Sequence, residues 1–296
     1  MNIRLVTRQD IDHQLWDACI ENATNGLVYA KIDFLDLMSD QWDAIVIDNY
    51  RAIMPIPFRK KWGIRYVYQV PFIQQLGLIG TYDDTELLEC LKLMQETFRY
   101  GNYAFNFLNT TGVATVAKNY VLDLTPDYQT IAKGYRNDHR RNLQWDRIRQ
   151  LEYRKTEAVV ETIHLYRELY HHKFLHVPRQ SFEHLIRFAQ RRPAQAIVRE
   201  ARENGKLLSA ILALKDHKRL YTLVSATTEQ GKKTAANRFL LDRLIREFAG
   251  NDLLLDFEGS DLPGVAEYYE GFGAALQPYS VIKWNHLPLP IRWFKK

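Results

Sequence analysis

Apolar positions along the chain switch between a period of two and a period of about 3.6, and the switches mark out short strands and amphipathic helices. Residues 2–6 alternate as a strand, and residues 12–22 carry Leu15, Trp16, Cys19 and Ile20 at helical spacing. Residues 34–39 read as a second, shorter helix. Strand signals follow in AIVID, in RAIMPIP after the Asp48-Asn49 turn, and in RYVYQ after the Trp62-Gly63 break. Pro55 and Pro57 cannot donate to a ladder, which places RAIMPIP at a sheet edge or a bulge. Residues 84–100 are helical in pattern, and FNFLN and NYVLDL close the first half as strands.

The second half repeats that order of elements without repeating the letters. LEYRK is a strand, and residues 157–170 form a helix with Val159, Ile163, Tyr166 and Tyr170 on one stripe. A further helix begins near Ser181 and stops before Pro193. QAIVREA and KLLSAILALK flank Asn204-Gly205, a strong two-residue hairpin signal. RLYTLVSA then leads through the polar loop TTEQGKK into a helix over 234–249, followed by the strand DLLLDF, a helix over 265–271 and the strand YSVIKW. The pattern predicts an α/β protein of mixed twisted sheets flanked by helices. Two domains are expected, 1–128 and 129–296, joined within 125–134.

Composition changes this picture in one place. The chain has 296 residues, 46% apolar and 25% charged, which suits two packed cores and excludes disorder. MNIRLVTRQD gives no signal-peptide pattern, and no apolar run approaches the roughly 20 residues of a membrane span. Two cysteines without metal spacing point to a reducing cytoplasm. The net charge of +5 is concentrated: residues 131–155 hold eight Lys or Arg against three acids, and the remainder balances. Such a segment favours an anionic partner, phosphate-bearing, RNA or a membrane surface, although a solvated helix face accounts for it equally well.

Few motifs survive inspection. GKKT at Gly231 lacks the earlier glycine of a phosphate loop, since Ala226 stands there, and neither GxGxxG after a strand nor GxSxG is present. His171, His172 and His176 have no acidic or cysteine companions at metal spacing, so no metal site is expected. What stands out is the strand–loop–helix junction at 219–237. Unsatisfied N–H groups at a helix start can cradle phosphate oxygens, Lys232 and Lys233 would add charge, and Ala235 and Ala236 would permit close approach. An ordinary capped helix with exposed lysines explains the same residues.

At this junction the residues resemble the GNAT acyltransferases, whose pyrophosphate loop follows Gln/Arg-x-x-Gly-x-Gly/Ala. Gln230-Gly231-Lys232-Lys233-Thr234-Ala235 matches its first and last positions, with Lys233 in place of the central glycine. AEYYEGFGA (266–274) is similar to that family's helix-end motif, in which a tyrosine precedes Gly-Phe. The duplicated element order and Arg140-Arg141-Asn142-Leu143 resemble, more narrowly, the FemABX-like transferases, tandem pairs of GNAT-type domains whose second domain opens with a basic helix carrying Arg-x-Asn-(Ile/Leu). The long helical insertion with which some members hold transfer RNA is lacking here.

The resemblance implies a degenerate first GNAT-like domain and a second that binds the donor, with acyl-CoA or aminoacyl-tRNA as co-substrate. It implies direct transfer of an acyl or aminoacyl group to an amine, without a covalent enzyme intermediate. Amides of a strand splayed at Val224 to Ala226 would hold the oxyanion, with Gln230 to Ala235 on the carrier. Glu258 and Asp256 are candidate general bases, Glu258 preferred because the strand gives way to a loop beyond Phe257, and Tyr269 is the candidate proton donor. Pairing with Arg or Lys, or a half-buried aromatic role, accounts for these residues as well. Tyr68, Gln69, Gln74 and Gln75 form a polar, aromatic loop suited to a sugar, peptide or other polar amine acceptor, with Arg140 and Ser260 as further substrate contacts. The competing reading is a non-catalytic module binding RNA or an anionic surface through 131–155. DNA and an integral membrane segment are not expected.

Overall fold

The computed structural model describes residues 2–110, 112, 115–144, 146–173, 177–259 and 263–289. The chain packs as two compact units, Met1–Ala117 with Pro278–Lys296, and Lys118–Gln277. A cut at 128/129 differs from this division at both ends. NYVLDL belongs to the second unit's sheet, and YSVIKW returns to the first.

The first unit contains β1 (Ile3–Thr7), α1 (His13–Asn22), α2 (Ile32–Met38), β2 (Gln41–Ile47), β3 (Ala52–Lys61), β4 (Ile64–Val67), β5 (Ile79–Gly80), α3 (Asp84–Thr97), β6 (Tyr100–Ala104) and β7 (Thr115–Ala117). Asp12 caps α1 by accepting from the amides of Gln14 and Leu15, and Asp83 with Glu86 forms a capping box on α3. The apolar stripe of α1 buries Trp16, whose indole donates to the Ala30 carbonyl at 2.8 Å. The prolines do not put β3 at an edge: it lies between β2 and the pair β4 and β5. β5 pairs with Ala52 and Ile53 and β4 takes over from Phe58, so the edge over Met54 to Pro57 meets no strand among the described residues. The missing donors of Pro55 and Pro57 fall in that gap, where Tyr103 Oη donates to the Pro55 carbonyl at 2.7 Å. FNFLN is not a strand either. Asn106 and Asn109 fold it into a side-chain-bonded turn, with the Leu108 amide donating to Asn106 Oδ1 and the Asn106 amide to Asn109 Oδ1.

The second unit runs β8 (Tyr120–Asp123), α4 (Tyr128–Lys133), α5 (Asn137–Leu143), β9 (Glu152–Thr156), α6 (Val159–Tyr170), α7 (Arg179–Arg191), β10 (Ala196–Glu203), β11 (Lys206–Lys215), β12 (Arg219–Thr227), α8 (Glu229–Lys233), α9 (Ala236–Phe248), β13 (Leu254–Asp256), α10 (Pro263–Glu270) and β14 (Ala275–Leu276). Its strand order is β14-β8-β13-β12-β11-β10-β9, antiparallel except for the parallel pair β12 and β13. β11, apolar but for Ser209, is buried from Leu208 to Leu214, as a central strand covered on both faces requires. Phe239, Leu240, Leu241, Leu244 and Ile245 of α9 complete the core with Leu220, Leu255 and Phe272. The strand β15 (Tyr279–Asn285) then pairs with β6 and β7 of the first unit.

Candidate active site

The second unit's sheet forks. β12 and β13 pair from Arg219–Leu254 to Tyr221–Asp256, where β13 ends, while β12 continues to Thr227 against β11 alone. Thr228 donates its amide to the Leu208 carbonyl, and Ala226 lies opposite Ala210. With the alternation of an antiparallel ladder, this turns the amides of Val224 and Ala226 toward β11. The amide on the forked edge between them belongs to Ser225, next to the bulge that shifts the register between Val224 and Tyr221. Within the expected stretch Val224 to Ala226, it is Ser225 whose amide faces the fork.

Glu258 stands two residues beyond the end of β13. Its backbone is left-handed (φ 59°), a conformation a non-glycine residue seldom adopts, and its amide donates to Asp256 Oδ1 at 3.0 Å. Its Oε1 is buried and finds no hydrogen-bond partner among the described residues. Burial pushes its carboxyl up to about 8. Asp256 differs: although burial also raises its pKa, its carboxylate pairs with the buried Arg219 at 2.9 Å and its carbonyl accepts from Thr222 Oγ1. The two candidate carboxylates therefore have different surroundings, one tied into an ion pair and one open.

Tyr269 on α10 stacks on Phe257 with ring centroids 4.5 Å apart. Burial pushes its phenol up to about 12, reinforced by the negative charges of Glu258 and Asp256. The structure brings Tyr269 into the same electrostatic neighbourhood as both carboxylates. Ser260 lies outside the described residues.

The junction at 228–236 folds differently from a loop. TTEQGKK coils into α8, capped by Thr228, whose Oγ1 accepts from the Gly231 amide at 3.0 Å. The amides of Lys232, Thr234 and Ala235 donate to Thr228, Gln230 and Lys232 carbonyls, so these groups are spent locally. Gln230 donates to Glu203 and accepts from Lys206, Lys232 pairs with Glu229, and Lys233 is exposed. Gly231 has a packing reason: a Cβ there would lie 2.3 Å from the Leu208 carbonyl oxygen. The long helix begins at Ala236, two residues later than expected. Its N-cap Ala235 (φ 54°) has no side chain to cap the first turn.

That first turn contains a group the sequence reading missed. Arg238 lies 5.5 Å from the Tyr268 ring centroid, and its Nε and the Tyr268 hydroxyl are both buried without partners among the described residues. A cation in the first turn of a helix opposes the helix dipole, and that local conflict was the available signal. His139 of α5 is fully buried in the same cluster, edge-on to Phe272 at 4.6 Å. Burial and the charge of Arg238 push its imidazole down to about 4. Gly271 is required there, since a Cβ would meet His139 Nε2 at 2.3 Å. Arg140, on the same helix, is exposed and donates to Asn137.

In the first unit, Tyr68, Gln69, Gln74 and Gln75 line one small cavity of about 10 Å³ with Asn102 and Tyr103. Gln75 Nε2 donates to Gln74, while Gln75 Oε1 and Asn102 Oδ1 are buried without partners among the described residues. Tyr68 accepts from the Asp40 amide at 2.9 Å beneath Arg59. No group of three His, Cys, Asp or Glu among the described residues is placed to hold a metal. No helix among the described residues is long and apolar enough to cross a membrane.

No family model and no curated protein matches the sequence. Solved structures do match. The crystal structure of FemX is 11% identical, covers 100% of both chains and superposes with a TM-score of 0.68. A conserved protein of unknown function from Bacteroides thetaiotaomicron VPI-5482 is 11% identical over 93% of this chain and 98% of its own, with a TM-score of 0.59. A tandem GNAT protein from the clavulanic acid biosynthesis pathway is 10% identical over 97% and 99%, with a TM-score of 0.54. The chain therefore has the FemABX-like, tandem-GNAT fold.

Proposed function

We propose that this protein is an acyl- or aminoacyltransferase that moves an acyl group from a thioester or ester carrier to an amine of a polar acceptor. The observation that carries the reading is Glu258, a carboxyl with an open buried oxygen and a left-handed backbone at the β12–β13 fork. Such strain and desolvation in one group fit a working proton acceptor better than a structural one, which Asp256 already supplies. In its ionised form Glu258 takes the proton lost by the attacking amine. The forked-edge amide of Ser225 holds the developing oxyanion. Tyr269 keeps its proton at neutral pH and gives it to the leaving oxygen.

A phenol pushed up to about 12 suits protonation of the alkoxide that an ester carrier such as aminoacyl-tRNA would release, and acyl-CoA is the thioester alternative. Arg238 and the uncapped start of α9 are the groups suited to the carrier's phosphates. Tyr68, Gln74 and Gln75 suit a small polar acceptor, and two free cysteines suit a reducing cytoplasm. A module that merely binds RNA through 131–155 gains less support, since Arg136, Arg154 and Lys155 are already paired with Asp138, Glu152 and Glu247.

The test is turnover with acyl-CoAs and charged transfer RNAs on a panel of amines. Glu258→Gln is expected to lower kcat by about 10²–10⁴ while donor binding, read by thermal shift, is retained. Unchanged kcat in that variant would remove the proposal's foundation.

A further inference from the structure

The hairpin of β3 and β4 carries features that neither folding nor transfer explains. β2 leaves β3 at Phe58, and β4 meets β6 only at Val67, so residues 59–66 form a two-stranded ribbon overhanging the sheet. Its turn is Trp62-Gly63, with φ of 52° and 79°. That primed geometry is met at least cost by Asn-Gly, yet the first position holds a tryptophan that is 83% exposed and buries almost nothing. The register also sets Lys60 directly opposite Arg65, a like-charge pair that weakens a ribbon. Two local rules are broken at one tip.

The charges there are only partly compensated. Asp40 pairs with Arg59 at 2.6 Å and Asp43 with Arg65 at 3.1 Å, while Lys60 and Lys61 have no ion pair among the described residues. An open groove of about 360 Å³ beside the ribbon is lined by Arg59, Lys60, Lys61 and Tyr66, with Asp40 and Gln41. The apex is thus an indole and the neighbouring Ile64, collared on both strands by cations.

We propose that this ribbon is a docking device for an anionic lipid bilayer, Trp62 seating among the headgroups while Lys60 and Lys61 meet the lipid phosphates and Arg65, paired with Asp43 over the Phe58 and Phe98 rings, anchors the ribbon to the sheet. An aromatic at an apex with cations one residue behind it is arranged by depth, which suits an interface between water and hydrocarbon. Base stacking in a nucleic acid instead needs an open ring face on a flat platform, and the Lys61 ammonium already lies 4.9 Å from the Trp62 centroid. Such docking fixes where the protein sits, independently of any donor or acceptor.

The experiment is co-sedimentation of the full chain with phosphatidylcholine vesicles, with and without one third phosphatidylglycerol. Binding is expected only to the anionic vesicles and should weaken as salt rises. Lys60→Ala and Lys61→Ala should each lower the partition coefficient roughly fivefold. Trp62→Asn should weaken binding too, yet hold or raise Tm, because asparagine fits the turn better. Equal binding to neutral and anionic vesicles, insensitivity to the lysine substitutions, or a fall in Tm for Trp62→Asn would each overturn the proposal. RNA binding that these substitutions abolish, without vesicle binding, would reassign the ribbon to nucleic acid.

Discussion

Two buried titratable side chains in the second unit make opposite demands on pH. Glu258 has a carboxyl raised from 4.5 to about 8, so the unfolded chain releases a proton near 4.5 that the fold keeps. Stability therefore declines as pH rises from about 4.5 to 8, by up to about 1.4 kcal/mol per pH unit, and levels off above. Turnover should run the other way, kcat/KM climbing to a plateau above about pH 8, with Glu258→Gln removing that limb and raising the urea midpoint at pH 8. His139 has an imidazole lowered from 6.5 to about 4, so the unfolded chain takes a proton that the fold refuses. Its contribution is lost as pH falls from about 6.5 to 4, and His139→Leu should flatten that acid limb in urea titrations.

At the scale of elements, the segment 228–236 is held by packing and local hydrogen bonds. If Gly231 is held by packing on β11, Gly231→Ala should cost about 1–3 kcal/mol with no donor present, measured by chemical denaturation. Lys232→Ala, whose partner Glu229 is exposed, should change stability by less than about 1 kcal/mol.

Periodicity and turn chemistry made much of the fold legible. Asn204-Gly205 sits at the β10–β11 turn, both with positive φ, and the stripe Val159, Ile163, Tyr166, Tyr170 falls on α6. What stayed hidden depended on partners distant in sequence. Nothing local tells that the gap between β4 and β5 lets Pro55 and Pro57 sit inside a sheet, or that the Leu208 carbonyl needs a glycine at 231. Glu258 and Tyr269 could be singled out because both lie near the ends of elements beside recognisable motifs. Tyr268 and His139 could not, and Arg238 only through its misplaced charge in the first turn of α9, since their cluster joins three separate helices.

For the molecule as a whole, the consequential feature is the return of β15 to the first sheet. Trp284 of that strand packs on Gly101, where a Cβ would lie 2.5 Å from its ring, and its indole donates to the Phe98 carbonyl. Trp284→Ala should cost the first unit about 3–5 kcal/mol while leaving the second unit's stability unchanged, which hydrogen exchange resolved by segment would show. The return also inverts the usual order of events during synthesis. A nascent chain can finish the Lys118–Gln277 unit as soon as it emerges, but the amino-terminal sheet must wait, two ladders short, until Asn285 has left the ribosome. The part made first is completed last, and through that interval the unpaired side of β6 is a surface for chaperones to cover.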